Sequence, residues 1–204
     1  MNVMMLQERN FNKILLTALL VGAVSSAFAW TSLGAGTNLE YEIDGTVLRL
    51  QSPDPASDAA IPGEVFAGNT TITSVSLPSN VTTIEGQAFM GCTALANVDL
   101  GNVQEIISYA FSGCTALQEI VIPSSVERIG GHAFYGCSSL ALVKCRPVAP
   151  PTLGTDAFAN CAGGLEICVT HADSYASYRN ADEWSVYADK ISDCSCNCFR
   201  VVIE

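Results

Sequence analysis

The chain has 204 residues, of which 49% are hydrophobic, and it carries a formal net charge of −11. This length is enough for one domain with a substantial core and too short for two comfortable ones. An acidic surface repels phosphate backbones, so nucleic acid is excluded as an expected partner.

Residues 1–29 have the pattern of a secretory signal peptide. Arg9 and Lys13 precede an uncharged apolar run from Ile14 to Val24, and an Ala-x-Ala pattern ends at Ala29. We therefore predict cleavage after Ala29. The alternative is a membrane anchor, which needs about 18 or more apolar residues, and this run is shorter. The prediction is a secreted or cell-surface protein with no transmembrane segment after cleavage.

Residues 30–60 are predicted to form an N-terminal cap. Apolar and polar residues alternate from Leu39 to Leu50, and Asp44-Gly45 lies between the two halves of this stretch. Such a pattern is typical of a β-hairpin with a two-residue turn. The hairpin would cover the open end of the structure that follows it.

Residues 61–170 repeat one segment with small variations. Five phenylalanines separated by 23, 22, 23 and 24 residues mark the copies: Phe66, Phe89, Phe111, Phe134 and Phe158. A period in the twenties indicates a repeat solenoid, here of about five coils. The positions nine and eleven after each phenylalanine are apolar, which is the period of a strand. Each coil is therefore predicted to add a short strand to a parallel sheet, opposite a turn or short helical segment around the phenylalanine.

The phenylalanines and four of the nine cysteines are predicted to form the core. Each of these cysteines follows a phenylalanine by three positions: Cys92, Cys114, Cys137 and Cys161. Export favours disulfides in general. Identical inward positions on stacked coils have parallel Cβ vectors, however, and this geometry suits reduced thiols that pack as small hydrophobic groups.

Residues 171–193 are predicted to form an irregular helical C-terminal cap, and residues 194–204 a Cys-rich tail. Cys194, Cys196 and Cys198 lie within five residues of each other. We expect disulfides that tie this tail back, with Cys168, expected to face outward, as a candidate partner. A zinc site is the alternative, but the cluster lacks the usual Cys-x-x-Cys pairs and a local fourth ligand. No metal and no cofactor are therefore expected.

The copies share the pattern I-x-x-x-A-F-x-x-C-x-x-L-x-x-[VI]-x-[LI]-P. This pattern resembles the BspA-type leucine-rich repeat of secreted and surface proteins, mainly of anaerobic bacteria. The resemblance runs from about Thr46 to Ile191. Tyr175, Trp184 and Tyr187 look like the C-terminal cap of that family, whereas Thr170 stands where the family usually has proline. The resemblance implies a leucine-rich-repeat-like solenoid and adhesion to host matrix proteins or to other cells.

No catalytic pattern is present in the sequence, so no enzyme is predicted. His132 and His171 are expected to be ordinary polar surface residues. A Gly-x-Ser-x-Gly elbow, a phosphate-binding loop and a His-Glu-x-x-His motif are all absent from the sequence.

The outward side of the predicted strands, which we call the strand face, is the candidate binding surface, because repeat proteins commonly bind through such surfaces. Its residues lie eight and ten positions after each phenylalanine, and the predicted binding residues among them are Asn97, Asp99, Glu119, Val121, Leu142 and Lys144. Two apolar side chains beside a cation could seat a side chain of an extracellular protein of unknown identity. The alternatives are a self-associating envelope protein without a host ligand, and a thiol or metal function of the C-terminal cysteine cluster.

Overall fold

The computed structural model describes residues 30–34 and 37–194 of the chain. The predicted signal peptide and the segment from residue 195 onward, with Cys196 and Cys198, lie outside the described residues. The described part is a solenoid of parallel strands with little helix, so the predicted fold class is confirmed.

Short strands dominate the described part of the chain. In order they are β1 (Thr31–Ser32), β2 (Glu40–Asp44), β3 (Val47–Gln51), β4 (Ala59–Ile61), β5 (Ser74–Ser76), β6 (Val81–Ile84), β7 (Asn97–Asp99), β8 (Glu105–Ile106), β9 (Glu119–Ile122), β10 (Arg128–Ile129), β11 (Leu142–Cys145), β12 (Thr152–Leu153), β13 (Glu166–Val169) and β14 (Ile191–Asp193). The helical elements among the described residues are α1 (Tyr175–Asn180) and two 3₁₀ turns, at Ala172–Ser174 and Ser185–Tyr187.

The strands form two walls of the solenoid. The first wall consists of β3, β5 and β7, continued by β9, β11, β13 and β14, and β7 lies next to β9 where the two groups meet. The second wall consists of β4, β6, β8, β10 and β12. All pairings within this solenoid are parallel, and among the described strands only β1–β2 and β2–β3 pair in the antiparallel sense. Each coil therefore supplies two strands, one more than we predicted from the sequence.

The second strand of each coil escapes sequence patterns because it is two to four residues long. A segment of this length shows no alternation, and only backbone hydrogen bonds to neighbouring coils make it a strand. Gly130 N, for example, donates to Ile106 O at 2.7 Å.

The solenoid has about six coils, where the phenylalanine spacing indicated about five. They begin at β3, β5, β7, β9, β11 and β13. The sixth coil has no phenylalanine, because the chain enters the cap after β13. Trp184 packs on Phe158 instead, with ring centroids 6.1 Å apart.

Turns around the five phenylalanines form the third side of the solenoid. Consecutive rings stack with their centroids 5.3 Å apart, and all five are buried. The backbone follows the same ladder: Phe89 N donates to Ala110 O, and Phe111 N donates to Ala133 O, both at 2.8 Å. Of the two predicted conformations, the turn is therefore the one adopted.

Both ends of the solenoid are capped. At the N-terminus, β2 and β3 form an antiparallel hairpin around Asp44-Gly45, and Tyr41 packs edge-on against Phe66 at 5.6 Å. At the C-terminus, Trp184 Nε1 donates to Pro151 O at 2.7 Å, and the Tyr187 hydroxyl accepts the N–H of Phe158 at 3.2 Å. This hydroxyl replaces the carbonyl that a further coil would supply.

Candidate functional site

The strand face contains all six predicted binding residues. Leu142 lies opposite Glu119 on one side and Glu166 on the other, and Lys144 lies in the same way between Val121 and Cys168. Nearer the N-terminus, Asn97 and Asp99 of β7 lie opposite two serines of β5. The outward side chains therefore form two ladders that run along the solenoid axis.

Charged groups on the strand face are satisfied largely by one another. Lys144 Nζ lies 2.6 Å from Glu119 Oε1, and both side chains are partly exposed. Asp99 accepts hydrogen bonds from the Ser76 hydroxyl at 3.2 Å and from Gly101 N at 3.1 Å. Lys144 is therefore an ion-paired residue, and a partner would have to compete with Glu119 for it.

Val121 and Leu142 form the apolar part of the strand face. They lie on neighbouring strands, diagonally across from each other, and both are half-buried. The Lys144–Glu119 pair occupies the other two positions of this four-residue square. The square thus offers a small apolar contact beside an ion pair.

A shallow cavity of about 350 Å³ continues the strand face toward the N-terminus. Its lining includes Val47, Arg49, Ser74 and Ser76. The Arg49 guanidinium is held by Asp44 at 3.0 Å and by Glu42 at 3.8 Å. The sequence places β3 within the predicted N-terminal cap, whereas in the structure it pairs with β5 and extends the strand face. The alternation in Val47-Leu48-Arg49-Leu50, which matches that of the repeat strands, is the sequence feature that indicates this.

Aromatic side chains cluster on the turn side of the solenoid, a feature missed in the sequence. The aromatic cluster consists of Tyr109, His132 and Tyr135. The His132 ring stacks on Tyr109 at 4.8 Å and is tilted against Tyr135 at 5.3 Å, while its Nε2 lies 3.8 Å from Asp156 Oδ2. Tyr109 is 40% exposed and Tyr135 is 37% exposed. The sequence does contain the pattern that predicts this cluster, because its three residues occupy the positions two before and one after the phenylalanines of neighbouring copies.

Left-handed backbone geometry recurs at the position two before each phenylalanine. The φ angles there lie between 56° and 63° although none of these residues is glycine: Glu64, Gln87, Tyr109, His132 and Asp156. Each left-handed L-residue costs about 1–2 kcal/mol. The cost is tolerated because the N–H of this position bonds to the next coil, as Gln87 N does to Ser108 O at 3.2 Å.

The four ladder cysteines are free thiols inside the solenoid. Each donates to the carbonyl of the phenylalanine one coil earlier, as Cys92 does to Phe66 O and Cys137 does to Phe111 O, both at 3.1 Å. Burial raises the pKa of Cys92 to about 11 and that of Cys161 to about 12. Protonated thiols are poor nucleophiles, so these residues contribute packing rather than chemistry.

Cys168 and Cys194 form a disulfide, with Cα atoms 5.5 Å apart. Cys168 lies on the outer side of β13, opposite Lys144, as expected for an outward position. It is nevertheless only 5% exposed, which differs from the expectation of a solvent-facing residue. In the sheet, β14 lies beside β13, and the disulfide bond places Cys194 against the Cys168 sulfur.

The described ranges, 30–34 and 37–194, contain neither a metal-binding cluster nor a membrane-spanning helix. Within these ranges no group of three or more His, Cys, Asp or Glu side chains is arranged to hold a metal ion. Nor does any helix there have the length and apolar character needed to cross a membrane.

Comparison with known proteins identifies the repeat. A family model described as the BspA type leucine rich repeat region matches residues 59–176 with six copies. None of the curated proteins compared with the chain is a significant match.

Among solved structures, a leucine rich cell surface protein of Faecalibacterium prausnitzii is 26% identical, with a TM-score of 0.51 over 69% of this chain and 40% of that protein. A leucine rich repeat protein of T. pallidum is 24% identical, with a TM-score of 0.40 over 67% of this chain and 80% of that one. One from Bacteroides ovatus is also 24% identical, with a TM-score of 0.40 over 65% and 45%. The chain thus spans two fifths of the F. prausnitzii protein.

Proposed function

Because the chain belongs to the family of BspA-type leucine-rich repeat proteins, we propose that it is a secreted or cell-surface module that binds a protein partner. Proteins of this family are generally binding modules without enzymatic activity, so we propose binding without catalysis. The cell-surface description of the F. prausnitzii protein supports an extracellular location. The signal-peptide pattern of residues 1–29, with cleavage after Ala29, is consistent with this location.

The observation that carries the proposal is the regular outer surface of the strand wall. Its residues stand in register on rigid strands, so their side chains are held at fixed positions before a partner arrives. Preorganised surfaces bind with a smaller entropic cost than flexible ones. We propose that Val121 and Leu142 form the centre of the contact, because apolar contacts at the centre of an interface contribute most of the binding energy.

The charged residues are proposed to orient the partner rather than to supply most of the affinity. The exposed Lys144–Glu119 pair is worth about 0–1 kcal/mol, so exchanging it for a partner's charge costs little. Asn97 and Asp99 extend the surface toward the cavity at β3 and β5. Such polar groups at a rim favour specificity and encounter rate over affinity.

Replacing the two apolar residues with acids tests this assignment. We expect Val121→Glu with Leu142→Glu to abolish capture of ligands from a set of purified extracellular matrix proteins, because two carboxylates would be placed in the apolar centre. Val148→Glu is the matched control, since Val148 is 63% exposed and lies in the loop between β11 and β12. The melting temperature of each variant is measured in parallel, and capture that survives the double substitution contradicts the strand-face assignment.

Self-association into an envelope structure is the alternative function. It predicts a large species in size-exclusion chromatography that the same double substitution dissolves, without capture of any matrix protein.

The aromatic cluster provides a third arm of the experiment. If Tyr109→Ser with Tyr135→Ser abolishes capture and the strand-face variant does not, the binding surface lies on the turn side of the solenoid.

A further inference from the structure

Thiol chemistry in the described part of the chain is concentrated at one place, the Cys168–Cys194 disulfide. The other five cysteines described are free: Cys92, Cys114, Cys137, Cys145 and Cys161. Four of them donate to backbone carbonyls, and Cys145 is fully buried. Burial leaves four of these thiols little access to reagents in solution, and the half-buried Cys161 is engaged in its hydrogen bond to Phe134 O at 3.3 Å.

The two cysteines of the disulfide differ in their exposure to solvent. Cys168, in the middle of the sheet, is 5% exposed, whereas Cys194, just after β14, is half-buried. The Ser192 hydroxyl lies 3.5 Å from Cys194 Sγ. A thiol arriving from solution therefore reaches the sulfur of Cys194 first, and Cys168 is the leaving group.

We propose that the Cys168–Cys194 disulfide is an exchange site for small, positively charged thiols, and that its opening releases the C-terminal cap. In the first step a thiolate attacks Cys194 Sγ, the S–S bond breaks, and a mixed disulfide forms on Cys194 while Cys168 leaves as a thiolate and takes a proton. In the second step another thiolate attacks the outer sulfur of the mixed disulfide and frees Cys194. Two small thiols are oxidised to one small disulfide, and the protein disulfide is reduced to two thiols.

Local charge supplies the preference for a cationic thiol. Glu166 precedes Cys168 by two residues and lies on the same outer side of β13, where its Oε1 accepts a hydrogen bond from the Ser192 hydroxyl at 2.6 Å. Lys144, the cation opposite Cys168, is ion-paired with Glu119. The whole chain also carries a net charge of −11. The thiolate of an anionic thiol is therefore repelled, whereas the ammonium group of a cationic thiol offsets the charge of its own thiolate and is attracted by Glu166. Salt should screen both effects.

Opening the disulfide would loosen the cap because the bond closes the loop that contains it. Cys168 and Cys194 are separated by 26 residues, and this segment includes α1, Trp184 and Tyr187. Loss of such a closure should raise the population of the open cap by about 100-fold. The coils from β5 to β11 lie outside the loop and should remain protected.

The first experiment maps the exchange on the full chain carrying Cys196→Ser and Cys198→Ser, so that the thiols of these tail residues do not compete. Cysteamine, 2-mercaptoethanol and glutathione are applied at equal thiolate concentration, quenched with an alkylating agent and mapped by peptide mass spectrometry. We expect the mixed disulfide on Cys194, with cysteamine reacting about 10-fold faster than glutathione at low salt and less than 3-fold faster at high salt. Equal rates at low salt, addition to Cys168, or equally fast labelling of the buried cysteines would overturn the proposal.

The second experiment tests the two structural steps. Glu166→Gln should narrow the difference in exchange rate between cysteamine and glutathione. Glu64→Gln, on the turn side, should leave this rate difference unchanged. Hydrogen exchange should accelerate about 100-fold across residues 175–191 after reduction while β7 and β9 keep their protection. An unchanged cap after reduction refutes its release. Because no binding partner is used in either experiment, the outcome is independent of the proposed strand-face function.

Discussion

At the scale of single residues, the repeat places L-amino acids where the backbone favours glycine. The residue two before each phenylalanine is left-handed in five coils, yet no glycine is found at that position. Two positions after the phenylalanine the pattern is the reverse. Gly68, Gly91, Gly113 and Gly136 are left-handed there, and Asn160 takes this role in the fifth coil. The side chains retained at the first position include two of the aromatic cluster, Tyr109 and His132.

Replacing one of these residues with glycine should stabilise the protein. We expect Gln87→Gly to raise the free energy of unfolding by about 0.5 kcal/mol, because relief of the left-handed strain exceeds the chain-entropy cost of glycine. Gln118→Gly is the matched control, since Gln118 is not among the residues with positive φ, and it should lower stability by about 0.5–1 kcal/mol. Urea denaturation measures both changes, and equal losses in the two variants would contradict the strain argument.

At the scale of elements, the C-terminal cap completes hydrogen bonds that the solenoid leaves open. The first four coils each donate their phenylalanine N–H to an alanine carbonyl of the next coil, and the fifth donates the N–H of Phe158 to the Tyr187 hydroxyl. Tyr178 similarly donates to Pro147 O at 3.0 Å. Burial raises the pKa of both tyrosines, so they remain neutral at physiological pH. The aromatic residues of the cap thus act as a substitute coil.

Removing one hydroxyl from the cap tests this account. We expect Tyr187→Phe to lower the free energy of unfolding by about 1–3 kcal/mol, because the buried N–H of Phe158 loses its acceptor. Tyr175→Phe is the control, since the Tyr175 hydroxyl accepts its hydrogen bond from Arg179 at the exposed surface. Thermal melts and hydrogen exchange at the Phe158 amide are the measurements. The account is wrong if the Phe158 amide exchanges equally slowly in both variants.

At the scale of the whole molecule, the ionisable groups of the core share one response to pH. The thiols and tyrosines of the core with a resolved shift all have a raised pKa. The chief cause is a hydrogen bond with Cys137 for Cys114 and burial for the others, which are Cys92, Cys145, Cys161, Tyr178 and Tyr187. Their neutral forms are favoured in the folded state. In the unfolded chain they release protons at lower pH, so folding is opposed once the pH exceeds the ordinary thiol value of about 8.5.

Alkaline solution should therefore weaken the fold. The stabilisation that comes from keeping Cys92 and Cys161 protonated in the folded state is fully present below about pH 8.5. It is lost as the pH rises toward their folded-state pKa values, about 11 for Cys92 and about 12 for Cys161. We expect the free energy of unfolding to fall by about 1.4 kcal/mol per pH unit in this window for each thiol whose pKa is raised in the folded state. Urea unfolding at pH 8, 9 and 10 measures the slope. A shallower slope is expected in Cys145→Ala, and stability that is constant across this range would refute the linkage.

The sequence by itself determined the solenoid, because a coil of about 23 residues with one phenylalanine, one cysteine and two strand residues can bury its apolar side only by stacking on copies of itself. It also indicated the hairpin, the helical cap and the outward ladders, since each depends on local turn chemistry or on a fixed offset from a phenylalanine. The tertiary structure alone decided the second wall of strands, the sixth coil, the left-handed backbone two positions before each phenylalanine, and the pairing of Lys144 with Glu119. Each of these depends on hydrogen bonds, stacking or charges between residues about one coil apart, and no single coil contains both partners.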